Sequence, residues 1–107
     1  MSAIEYENSG DVDIVGTSLM GYIGTSYNEL EVAFGNPTYY YAEGATTVEW
    51  VLQLKVPNGG DFDYVTATIY DRHEDFTPLQ DKDKEGVWYI GGFERASVDA
   101  VYMAMGR

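Results

Sequence analysis

Residues 46–70 read TTVEWVLQLKVPNGGDFDYVTATIY. In the first half, Thr46, Val48, Trp50, Leu52, Leu54 and Val56 fall on one parity, and Thr47, Glu49, Gln53 and Lys55 on the other. Successive side chains of a strand point to opposite faces, so this alternation marks a strand with one buried face, Val51 being the exception. Pro57-Asn58-Gly59-Gly60 follows, and an Asn-Gly pair accepts the positive φ that a tight hairpin turn requires. Phe62–Tyr70 then returns with Val65, Ala67 and Ile69 on one face and Tyr64, Thr66, Thr68 and Tyr70 on the other. Two amphipathic strands joined by such a turn predict an antiparallel hairpin, and the remaining elements must cover its apolar face.

Working outward, Ser26-Tyr27-Asn28-Glu29 is a capping box, in which Ser26 accepts from the third helical N–H and Glu29 reaches back to the Ser26 N–H. Tyr27, Leu30, Ala33 and Phe34 then share one apolar face, and Gly35 and Pro37 end the run, which predicts a short helix over 27–34. Thr38–Ala42 is aromatic and β-prone. On the other side of the hairpin, residues 71–86 are charged, contain Pro78 and read as a loop. Val87–Ile90 reads as a short strand that ends at Gly91-Gly92. Glu94–Met105 reads as a helix, with Val98, Val101, Tyr102 and Met105 at helical spacing and Gly106 closing it. The expected fold is α+β: one domain over 1–107, residues 1–12 a loose N-terminal segment, and an antiparallel meander of three to four strands. A short N-terminal helix and a C-terminal helix are expected on one face of that sheet.

A chain of 107 residues is long enough for one modest core. The absence of cysteine excludes disulfides, thiolate metal sites and cysteine nucleophiles, and with no basic-then-apolar start it implies an intracellular protein. Eighteen acids against six bases give a formal charge of −12. Residues 1–54 hold eight acids and no lysine or arginine, the first base being Lys55. Nucleic-acid binding needs cations to neutralise phosphates, so that class is excluded, while basic partners are favoured and steered in. Membrane partners are excluded as well: the apolar runs are far short of the roughly 20 residues a spanning helix needs, and anionic headgroups attract basic segments.

No constellation of catalytic residues emerges. The only histidine, His73, lies in Asp71-Arg72-His73-Glu74-Asp75 and reads as a solvated turn residue, since a metal site would bring a second histidine or a thiolate. Asp81, Asp83, Glu85 and Gly86 match positions one, three, five and six of a calcium loop, but Gly92 stands where the bidentate glutamate belongs. Opportunistic calcium binding there is the most this match allows. Gly16, Gly21 and Gly24 form no phosphate cradle, and no nucleophile elbow occurs. No catalytic residue, metal or cofactor is therefore expected. The ten tyrosines are the remaining oddity. Tyr39-Tyr40-Tyr41 must set rings on both faces of a strand; either the second face is an exposed aromatic surface, typical of binding sites, or an adjacent element covers it.

Several blocks together resemble a known family: GTSLMGYI (16–23), SYNELEVAFGNPT (26–38), VEWVLQL (48–54), TATIYD (66–71) and WYIGGFERASVDAV (88–101). In content and order they are similar to a family of small acidic proteins encoded by bacteriophages and prophages. Tyr89 stands where that pattern often has a histidine, and no catalytic residue is carried over. The resemblance implies an accessory protein made in the cytoplasm of an infected bacterium.

The expected function is non-enzymatic: binding and inhibition of a host defence complex, nuclease or polymerase through its basic surface, by nucleic-acid mimicry. Glu29, Glu31, Glu43 and Glu49 are the expected contacts, with Tyr39, Tyr40 and Tyr41 as anchors and Asp61, Asp63, Asp71, Glu74 and Asp75 as a second cluster. The alternative is a small-ligand- or nucleotide-sequestering module, with homo-oligomers formed through an aromatic strand.

Overall fold

The alternating segments at 46–70 form the long central hairpin of an antiparallel sheet, in a computed structural model that describes residues 4–72 and 74–107. In chain order the elements are β1 (Glu5–Asn8), β2 (Ser18–Thr25), α1 (Tyr27–Phe34), β3 (Tyr39–Tyr40), β4 (Val48–Asn58), β5 (Asp61–Tyr70), β6 (Gly86–Gly92) and α2 (Ala96–Ala104). The hairpin runs in unbroken register from Glu49↔Tyr70 to Asn58↔Asp61. Gly59 and Gly60 turn it at φ of 57° and 89°, a region that side chains with a Cβ disfavour.

Six strands pair among the described residues, where three to four were expected. The order is β1-β4-β5-β6-β2, with β3 also on β4, so the sheet is antiparallel but not a simple meander. β2 comes early in the chain yet lies beyond β6, with a register shift between Leu19 and Gly21. Its glycines and that irregularity interrupt the period-two pattern, which is why the sequence shows no strand there. Residues 1–12 were expected to be loose, but Glu5–Asn8 pairs with Leu52–Lys55 of β4; residues 1–3 lie outside the described residues. β3 is only two residues long, shorter than the expected 38–42.

β1 and β3 share one edge of β4, and side chains close the gap between them. The Thr38 hydroxyl accepts from the Val51 N–H at 2.7 Å and donates to the Asn8 side-chain oxygen. The Ser9 N–H donates to the Val51 carbonyl, and the Asn8 carboxamide donates to the carbonyls of Phe34 and Asn36. Backbone groups of a sheet edge thus find partners where no neighbouring strand is present.

One face of the sheet carries the core. Val48, Trp50, Leu52 and Leu54 of β4, Ala67 and Ile69 of β5, and Trp88 and Ile90 of β6 pack in a single cluster. Tyr27, Leu30 and Phe34 of α1 join it, as do Val98, Ala100 and Val101 of α2. The α1 capping box forms as expected: the Glu29 N–H donates to Ser26 Oγ at 3.1 Å and the Ser26 N–H to the Glu29 carboxylate at 3.3 Å. Trp50 and Trp88 meet edge to face at 5.6 Å, and each indole N–H is satisfied, by the Gly35 and Thr25 carbonyls. Among the described residues no helix is long and apolar enough to cross a membrane.

Candidate functional site

With the helices on the core face, the opposite parity of every strand points away from them, with Val51 and Thr68 in its middle buried. The pairing register then assembles a row no single segment contains. Tyr22 of β2 stands opposite Tyr89 of β6, Tyr89 opposite Tyr70 of β5, Tyr70 opposite Glu49 of β4, and Glu49 opposite Tyr39 of β3. Tyr22 and Tyr89 meet edge to face at 5.2 Å, and Tyr70 and Tyr89 stack at 5.7 Å with planes 25° apart. Such cross-strand neighbours lie within reach of aromatic side chains. At the far end, Tyr41 donates its hydroxyl to Glu49 Oε1 at 2.6 Å and lies 6.1 Å from the Tyr39 ring. Tyr22, Tyr39 and Tyr41 are exposed, Tyr22 to half of its area.

Carboxylates border this row. Glu5 and Glu7 pair with Lys55 and Gln53 and share their outward face, Glu43 is exposed beside Tyr41, and Asp75 accepts from the Tyr89 hydroxyl at 3.1 Å. The phenols of Tyr41, Tyr70 and Tyr89 are all held above the usual tyrosine range. Burial is the largest cause in each; next come the Glu49 hydrogen bond for Tyr41, the Glu49 charge for Tyr70 and the Asp75 hydrogen bond for Tyr89. The tyrosines therefore stay neutral while the field around them is negative. Two cations of the chain itself sit on this face. Arg72 lies 5.5 Å from the Tyr89 ring and pairs with Glu74, and Lys55 lies 4.3 Å from the Phe62 ring and pairs with Glu5.

The structure divides the contacts expected from sequence. Tyr39, Tyr41, Glu43 and Glu49 come together at one end of the row. Tyr40 turns to the other side, where its hydroxyl meets that of Tyr27 at 3.1 Å. Glu29 is occupied by the capping box, by the Thr25 hydroxyl and by Arg107 at 3.7 Å, and Glu31 sits with it on α1, in the helix layer. Asp61 and Asp63 are tied into the hairpin end by the Phe62 N–H and the Asn58 side chain. Asp63 shares the parity of Val65 and so belongs to the helix side. Asp71 requires a correction: it is fully buried and accepts from the Thr47 N–H, the Thr47 hydroxyl and the Val48 N–H, which makes it a residue of the fold. Glu74 and Asp75 border the outer face, and His73 lies outside the described residues.

The calcium-like stretch is engaged elsewhere. The Asn28 N–H donates to the Lys82 carbonyl at 3.0 Å and its side chain to Asp83, so the loop is docked on the start of α1. Among the described residues no group of three or more acidic or histidine side chains is disposed to hold a metal ion. Tyr22, Tyr70 and Tyr89 were not among the contacts expected from sequence. Tyr70 was visible as an outward residue of the hairpin, whereas Tyr22 and Tyr89 join the row through long-range pairing alone. Comparison with protein-family models, with curated proteins and with solved structures returned no match.

Proposed function

We propose that this is a non-enzymatic phage protein that binds and inhibits a host protein by offering its basic, nucleic-acid-binding surface a substitute for nucleic acid. The observation that carries this reading is the tyrosine–carboxylate row laid across five strands on the sheet face opposite the helices, in a chain of charge −12. Carboxylates stand in for phosphates, and exposed rings supply flat, rigid surface of the sort bases present to a nucleic-acid-binding protein. The summed negative field adds speed and selectivity for a cationic partner. A nucleotide-sequestering module would instead need an enclosed aromatic pocket, and here the rings lie spread on a sheet.

The test has two steps. The protein is immobilised, partners from the bacterial host are captured and identified, and binding of the purified partner is then measured from about 50 mM to about 500 mM NaCl. Binding is expected to fall steeply with salt, to be displaced by nucleic acid, and to vanish when the exposed Glu5, Glu7 and Glu43 are all replaced by lysine. Salt-insensitive binding, or binding that survives the triple replacement, overturns the proposal.

A further inference from the structure

The end of the row at β3 and β4 has a chemistry of its own. Tyr41, Glu43, Thr46, Glu49 and Tyr70 line an open hollow with a volume of about 330 Å³. Two tyrosines, two glutamates and a threonine are thus among its lining, and no lysine or arginine is among the described residues that line it. The same pairing of ring with carboxylate seats a cation at two other places on this face, Arg72 on Tyr89 beside Glu74 and Lys55 on Phe62 beside Glu5.

We infer that this hollow is a seat for an arginine side chain of a protein partner. The inference rests on the reading of the sheet face as a protein-binding surface, and it narrows that reading to one side-chain chemistry. A guanidinium is planar, stacks on tyrosine and donates through a fork that matches carboxylates, whereas an ammonium is a compact, strongly hydrated charge. Tyr41 holds Glu49 through Oε1, which orients the carboxylate and leaves Oε2 for a second donor. Glu43, exposed in the loop before β4, supplies the other carboxylate. Both ring residues feel the Glu49 charge, Tyr70 feeling that of Arg72 as well, and both phenols are held neutral.

The experiment titrates the isotopically labelled full chain with the blocked peptide acetyl-Gly-Arg-Gly-amide, its lysine counterpart and free arginine, and follows backbone amide resonances. Shifts are expected at Tyr41, Glu43, Thr46, Glu49 and Tyr70. The arginine peptide is expected to bind about threefold or more tightly than the lysine peptide, and Tyr41→Ala and Glu43→Gln each to weaken it about three- to fivefold. Tyr64→Ala, an exposed tyrosine elsewhere on the face, is expected to leave binding unchanged. Shifts scattered over the acidic surface, or equal affinity for the two peptides, overturn the seat while leaving the mimicry proposal to its own salt test. Free arginine binding as tightly as the blocked peptide overturns the assignment to a protein side chain. Local, arginine-selective shifts uphold the seat even if salt-dependent capture of a host partner fails.

Discussion

At the scale of single residues, Asp71 and Glu29 show two uses of a carboxylate that charge counting cannot separate. Asp71 pins the start of β4 to the end of β5 through three donors, at 2.9, 2.8 and 3.0 Å. Removing it leaves these donors, the buried Val48 N–H among them, without their partner, so Asp71→Ala is expected to cost about 3 kcal/mol and Asp71→Asn, which keeps an acceptor, about 1–2 kcal/mol. Urea unfolding midpoints measure both. Glu29 is exposed, and its carboxyl is held below the usual range, first by the Thr25 hydroxyl, then by the Ser26 N–H, with Arg107 adding to them. A depressed folded value means that the stabilisation is complete above the ordinary glutamate value of 4.5 and is lost as pH falls through the folded value. Glu29→Gln is accordingly expected to flatten the acid limb of a stability–pH profile below about pH 4.5 and to leave its neutral part nearly parallel to that of the parent.

At the scale of elements, glycine decides how closely α2 approaches the sheet. A Cβ on Gly92 would collide with the Ser97 hydroxyl and stand 3.0 Å from the Thr66 carbonyl oxygen, the acceptor to which Ser97 donates at 2.8 Å. Gly92→Ala must therefore push α2 off β5 and β6, and a loss of about 1–3 kcal/mol is expected. Gly24 meets nothing within 4 Å of an added Cβ, so Gly24→Ala is expected to leave the melting temperature unchanged or to raise it by a few degrees, about what relief of glycine's entropy cost provides. Thermal unfolding followed by circular dichroism separates the two. The outer edge of β2 is guarded by the C-terminal segment: Tyr102 donates to the Tyr22 carbonyl and Arg107 to the Gly24 carbonyl. Alternate carbonyls of an edge strand are thereby engaged, which blunts edge-to-edge pairing with a second chain.

At the scale of the whole molecule, the charge of −12 is barely compensated. Three ion pairs occur among the described residues, all involving partly exposed groups worth little individually. Self-repulsion then works against the compact state. Screening should relieve it, so the melting temperature is expected to rise by several degrees between about 10 mM and about 300 mM NaCl. A melting temperature that falls over this range would mean that the few attractive pairs outweigh the repulsion. Under the proposed function the same excess would attract a basic surface.

The hairpin, both helices, the capping box and the outward parity of Tyr70 were legible in the sequence, because each depends on residues a few positions apart and on periods of two or 3.6. β1 was not legible, and β3 was legible as a strand within 38–42 but not in its two-residue length, since both short strands are held by the Asn8–Thr38 corner more than by their own pattern. β2 was hidden by its glycines, and the burial of Asp71 by its membership of an acidic run. Composition by itself determined the sign of the chain's net charge. Which acids and rings share a surface was decided by tertiary structure alone, because strand register and the choice of face are set by contacts between segments tens of residues apart.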